Sequence, residues 1–455
     1  MIAAGKIIFL ITYLAFIVQS VFSFSNKPDE LMAIPLVIIL AGAALLFLNG
    51  NSRDGDRDFQ INIFLWAFSL RLWMGLVMYA WGLKDLFGDD DALGYAAAWG
   101  MASRWYAGGL DAFFNDFVRV FFERQNEGQG FIWAIPTFLA GGPSRMIVSV
   151  VNSFAGSLLV IVIFRLARRI FGTEIGRIAA IVVTFWASNI LLSAMTSKEM
   201  LVIFFSWLLI YLIIRNPSGL RVKDAVAAIP VMLAVFMMRF YSIYMLMTAA
   251  FFRFLVAGGR NLVRNTIFGT LIVASVFIVL ESSGVVKRDM ARLERLSNVI
   301  EGWREGMAST TGSGVEIYSE YDSPTLAVPV ATVYFFLAPF PWEIFSGSLR
   351  SAFGAVENIF VAVILFFGFP AWRIFFKDKF IEIAPIVAFC ALYSGMHIWG
   401  LANLGIAWRH KQTIMPLLFM LVAVAITQRG VGWEYLKARF VRRRKPAMSI
   451  RAAGQ

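Results

Sequence analysis

"IGRIAAIVVTFWASNILLSAMTSKEMLVIFFSWLLIYLIIR", residues 175 to 215, holds two apolar runs separated by a short polar turn, Ser193 to Glu199, and ends in Arg215. Neither run alternates apolar with polar as a strand would, and together they read as two apolar helices joined by a turn. The pattern recurs outward along the chain. Apolar runs near residues 7 to 24, 31 to 49, 60 to 82, 145 to 165, 176 to 194, 199 to 214, 225 to 239, 241 to 257, 266 to 280, 352 to 372, 380 to 398 and 412 to 428 predict about twelve membrane spans. Of the 455 residues, 59% are hydrophobic and 15% charged, more apolar surface than one aqueous core can hide. The fold class is therefore an all-α polytopic membrane bundle.

Net charge is +12, but the basic residues sit in short runs at the ends of apolar segments, which orients helices and excludes nucleic acid as a partner. Arg53 and Arg57, Arg165 to Arg177, Arg215 to Lys223, Arg253 to Arg264, Arg373 to Lys379 and the tail from Arg439 to Lys445 all fall on one side. The positive-inside rule makes that side cytoplasmic, with both termini there, and the expected location is a bacterial cytoplasmic membrane. The chain has one cysteine, Cys390, and two histidines, His397 and His410, too few ligands for a zinc or haem site. No metal site or cofactor is expected, and a divalent cation requirement stays open.

Two long segments, 83 to 142 and 281 to 351, fall on the opposite side and carry most of the polar sequence. The first contains "GDDDALGYAAAWGMASRWYAGG", residues 88 to 109. One Asp suffices to cap a helix, whereas Asp89, Asp90 and Asp91 repel one another, an arrangement better suited to a general base or a cation ligand. Residues 92 to 106 and 110 to 123 read as amphipathic helices at the outer interface, and 308 to 324 as a loop. The expected organisation is a two-helix hairpin over 1–59, a membrane core over 60–280, an external segment over 281–351, further spans over 352–428 and a basic tail over 429–455.

The acidic loop is followed by "PSRMIVSVVNSFAGSLLVIVIFRLARRIFG", residues 143 to 172, and then by the stretch quoted first. In order come the acids, a helix with Arg145 and Asn152, a basic turn ending in Phe171-Gly172, a helix closing at Ser193, then Ser197-Lys198-Glu199, and an apolar helix ending in Arg215. This order resembles the GT-C superfamily of integral-membrane glycosyltransferases, most closely the branch of protein mannosyltransferases and lipid A aminoarabinose transferases. Two spans precede the acidic loop, which in the family usually follows the first, and an Asp pair stands where Asp-Glu is usual.

The resemblance implies an inverting transfer of a sugar from a polyprenyl-phosphate carrier to a glycan, lipid or protein acceptor at the external face. It implies a carboxylate base, with Asp91 first because Tyr95 follows at the family's spacing, Asp90 second, and Asp89 the third candidate. The departing phosphate calls for fixed cations. Arg409 and Lys411 in "NLGIAWRHKQTIMP", Arg239 and Lys198 are the candidates, with Arg409-His410-Lys411 read as an external loop before the last span. Arg239 equally suits an ion pair with Glu199 or Glu281, and Lys198-Glu199 equally suits capping of the next helix. Tyr95, Glu199, His410, Trp342 and Glu343 are candidate pocket residues, the last two in a twice-broken stretch, "FFLAPFPWEIFSGSLR", that also suits an interfacial turn. An O-antigen-type polymerase using Arg288 to Arg304, or a transporter of lipid-linked sugars, are the rival readings.

Overall fold

A computed structural model describes residues 2–51, 54–84, 94–123, 127–216, 221–256, 317, 324–344, 349–368, 371–372, 379–401 and 403–443. All regular structure among them is helical. In chain order the helices are α1 (Ile2–Phe24), α2 (Pro28–Leu31), α3 (Ala33–Asn51), α4 (Asp54–Gly75, continued by a π turn to Ala80), α5 (Tyr95–Phe122), α6 (Gly128–Ala140), α7 (Arg145–Phe171) and α8 (Thr173–Phe185). They continue with α9 (Ala187–Ala194), α10 (Glu199–Ile214), α11 (Val222–Met238), α12 (Phe240–Val256), α13 (Pro324–Leu337), α14 (Leu349–Gly368), α15 (Phe380–Trp399) and α16 (Leu404–Arg443).

Six described helices are long and apolar enough to cross a membrane, or seven if the bent pair α8 and α9 is one span. Of the twelve expected spans the described residues therefore supply six or seven of full length, and 266 to 280 lies outside them. The apolar helix Glu199–Ile214 is shorter than a spanning helix, since Glu199 stops it at one end and Arg215 at the other. α11 and α12 have 17 residues each and are separated by a break at Arg239. Helices α6 and α13 form inside segments read as external.

The long helix α7 is the centre of the bundle, packing on α4, α8, α9 and α10. The Ser144 hydroxyl accepts from the Ile147 N–H at 3.1 Å and caps its start. From α2 the Glu30 carboxylate accepts from the Ser144 hydroxyl at 2.7 Å and the Met146 N–H at 2.9 Å. An anion is thus placed where the helix dipole is positive. Its other end follows Arg168 and Arg169 and stops at Gly172, whose φ of +102° opposes any residue with a β-carbon.

Helices α8 and α9 meet at Trp186 with a bend of 55°. A broken helix inside a bilayer frees backbone groups that lipid cannot satisfy. Here protein does so from both sides. On α4 the fully buried Arg71 donates to the Val183 carbonyl at 3.5 Å, the Ala67 carbonyl at 3.0 Å and the Ser193 hydroxyl at 3.1 Å. On α14 the Glu357 carboxylate accepts from the Ser188 N–H at 2.7 Å and the Ser188 hydroxyl at 2.6 Å.

The two ends of the bundle differ. At one, Asp56 pairs with Arg168 at 2.5 Å and Arg177 at 3.5 Å, Arg165 donates to Gln60 at 2.7 Å, and Asp224 pairs with Arg215. This is the basic end. At the other lie Glu30, Gly94, Arg145, Glu199, Arg239 and the start of α16.

Candidate functional site

The turn between α9 and α10 is held from α7. The Asn152 amide donates to the Met195 carbonyl at 2.8 Å and the Ser197 carbonyl at 2.9 Å, while its own oxygen accepts from the Trp133 indole at 3.1 Å. Carbonyls left over where α9 ends thereby gain donors. The turn delivers Lys198 and Glu199 to a fixed place. Gly94, three residues after Asp91, lies against the same turn, since a β-carbon on it would come within 2.2 Å of the Thr196 carbonyl oxygen. Beside it the Arg145 guanidinium stacks 4.4 Å from the Tyr95 ring centre and donates to its hydroxyl at 3.1 Å.

Glu199, the first residue of α10, is buried and accepts from Arg239 through both oxygens, at 2.9 and 2.7 Å. Arg239 sits in extended backbone (φ −157°, ψ +79°) between α11 and α12, so the helix break puts the charge at the end of the bundle rather than on a lipid-facing surface. Its second terminal nitrogen donates to the Tyr393 hydroxyl at 2.6 Å and lies 3.0 Å from His410 Nδ1. The His397 and His410 rings stack at 3.7 Å, and Thr413 donates to Tyr393 at 3.3 Å. Arg239 is thus engaged at both ends of its fork.

Lys198 and Arg409 flank this pair. Burial, reinforced by Arg239 and Arg409 and opposed by Glu199 and Glu127, pushes the Lys198 ammonium down to about 8. Among the described residues three cations, Lys198, Arg239 and Arg409, meet two carboxylates, Glu199 and Glu127, a net positive charge in a partly desolvated recess. Among the described residues no three His, Cys, Asp or Glu side chains gather as a metal site.

Of the residues singled out by sequence, Lys198, Glu199, Arg239, Arg409 and His410 come together, with Tyr95 next to them on the Gly94 side. Asp89, Asp90 and Asp91 lie outside the described residues, as do Glu281 and Arg288 to Arg304. Arg409, His410 and Lys411 are not in a loop. Asn403 accepts from the Gly405 N–H at 2.8 Å and the Ile406 N–H at 3.2 Å, an N-cap that starts α16 at Leu404 and winds all three into its first turns. Consecutive helical residues point about 100° apart, and Lys411 faces another way: it is fully buried and donates to the Phe336 carbonyl at 3.1 Å and to Asn358. Trp342 is 75% exposed and stacks on Phe340 at 4.7 Å, while Glu343 accepts from the Phe340 N–H at 2.6 Å and closes its own turn.

The sequence reading missed Arg71, Glu30, Glu357 and Tyr393. Arg71 and Glu357 carried a usable signal, a lone charge inside an apolar segment. Glu30 and Tyr393 had none beyond residue type.

The model of the dolichyl-phosphate-mannose-protein mannosyltransferase family matches residues 129–282, from α6 through α12 and beyond. The chain is similar over this stretch to membrane glycosyltransferases of the GT-C type, the superfamily that its motif order resembles. No curated protein and no solved structure matches the chain.

Proposed function

We propose that this integral-membrane protein transfers a sugar from a polyprenyl phosphate to an acceptor hydroxyl at the external face, with the lipid phosphate held by Lys198 and Arg409. The observation that carries the reading is the surplus of cations around the buried Glu199–Arg239 pair, at the bundle end opposite the basic one. In the transfer the acceptor oxygen bonds to the anomeric carbon from the side opposite the phosphate, and that carbon's bond to the phosphate oxygen breaks. The phosphate leaves with the bonding electrons, inverting the centre. The acceptor proton passes to a carboxylate, for which Asp91 is the first candidate and Asp90 the second.

Negative charge grows on the phosphate as it leaves, so fixed cations stabilise the transition state more than the ground state. Arg239, neutralised by Glu199 and bound to Tyr393, orients this wall instead of binding the head group. Lys411, occupied by Phe336 and Asn358, takes no part. The test uses purified full-length protein with synthetic polyprenyl-phosphate hexoses. Transfer should occur and Asp91→Asn should lower turnover by about 10² to 10⁴-fold, the range for a lost positioned base. Normal turnover in all three single Asp→Asn variants would remove the acidic loop from the chemistry.

A further inference from the structure

A second recess lies beside the Arg239 cluster, between the two halves of α5 and the start of α6. Its polar walls are Arg104, Asp116, Arg119 and Glu127, and its volume is about 170 Å³. The fold builds it on purpose-shaped backbone. At Gly109 α5 breaks with φ +58° and ψ −139°, a region open to glycine alone, and the second half turns so that Asp116 faces Arg104 across the kink. The buried Asp116 carboxylate takes Arg104 Nε at 3.1 Å and its Nη2 at 2.7 Å, and the Trp105 indole donates to it at 2.9 Å.

That leaves Arg104 Nη1 directed toward Gly100, where a β-carbon would meet it at 3.9 Å and no side chain fills the space. Ala97 beside it is also small. Met101 and Val120 add an apolar face.

We infer that this recess is a binding site for one neutral, hydroxyl-rich ring, a sugar unit. Two arguments fix the chemistry. Its two arginines and two carboxylates sum to no formal charge, unlike the cluster around Arg239, so a phosphate gains nothing there that it would not gain better beside Lys198. Arg104 and Arg119 bring donors and Asp116 and Glu127 bring acceptor oxygens to the wall of one recess beside the apolar Met101 and Val120, a mixture that hydroxyls, able to donate and accept, satisfy together. The volume equals about six waters at roughly 30 Å³ each, room for one ring. Glu127 also acts on the Lys198 charge, so the recess borders the proposed donor site. Only the naming of the ligand as the acceptor's sugar rests on the proposed function.

The experiment is saturation-transfer NMR on the full chain in a sugar-free detergent, with a panel of methyl hexopyranosides as probes and inorganic phosphate as competitor. Ring-proton signals are expected from at least one glycoside, lost in Gly100→Leu, which fills the recess, and in Arg119→Gln, and unaffected by phosphate. The two variants attack the recess differently, so a folding failure in one leaves the other to decide. Absence of signal from every glycoside, signals that survive both substitutions, or displacement by phosphate would each overturn the inference. Because the readout is binding, it is separate from the transferase reading: a sugar held here by a protein that transfers nothing would sink that reading and leave this one standing.

Discussion

Both ends of the bundle are rich in arginine, yet their arginines do different things. At the basic end Arg168 and Arg177 are 24% and 45% exposed and share one carboxylate, Asp56. At the other end Arg239 is 4% exposed and holds both oxygens of Glu199, with the charges of Lys198 and Arg409 close by. Pairs whose arginine reaches water, as those of Arg168 and Arg177 do, are worth little more than about 1 kcal/mol each, and this set ties α4 to α7 and α8. The second set, with Arg239 and Glu199 buried and Lys198 and Arg409 partly so, interacts more strongly with any anion that enters. Position along a helix, more than residue type, separates an anchoring arginine from a binding one.

The sharpest contrast is all or none. With Cys390 replaced by Ser, a cysteine at Ala107 should react with an impermeant thiol reagent in intact cells and one at Thr173 should not. Labelling at Thr173 without permeabilisation would exchange the two ends. Next is stability. Glu199→Gln strands the buried Arg239 charge and should cost about 3–5 kcal/mol, a large drop in the unfolding midpoint, whereas Arg177→Gln, at a side chain 45% exposed, should cost at most about 1 kcal/mol. Equal losses would erase the distinction between the ends.

Kinetics come third. Arg409→Ala should lower kcat by about 10² to 10³-fold, the range for removing one donor to a developing anion, while Arg177→Ala stays within about twofold. The smallest effect is on pH dependence. Lys198 is charged below about 8 and neutral above it. kcat/KM, which reports the free enzyme, should therefore fall as pH rises through 8. In Lys198→Arg, whose guanidinium keeps its proton, that fall should disappear; a fall that persists unchanged assigns it to another group.

Much of this was legible before any coordinates. The 193–199 turn and the polar break at Arg239 follow from where polar residues interrupt apolar runs, and Glu199 is one of the two partners that the sequence offers Arg239. Charges in an apolar chain have few places to go. What was not legible is rotational phase and tertiary pairing. Arg409 and Lys411 are two residues apart and look equivalent, but Asn403 starts the helix early enough to turn Lys411 into the packing of α13 and α14. The bend at Trp186 contains neither proline nor glycine, and it is stable only because Arg71 and Glu357 arrive from helices distant in sequence. No local pattern encodes such a meeting.

The most direct test of the central claim is native mass spectrometry of the purified protein with a polyprenyl monophosphate that carries no sugar. Wild type and Arg177→Ala should each retain one lipid phosphate, and Lys198→Ala and Arg409→Ala should lose it. Equal retention by all four proteins would contradict the assignment of the phosphate to the Lys198–Arg409 end.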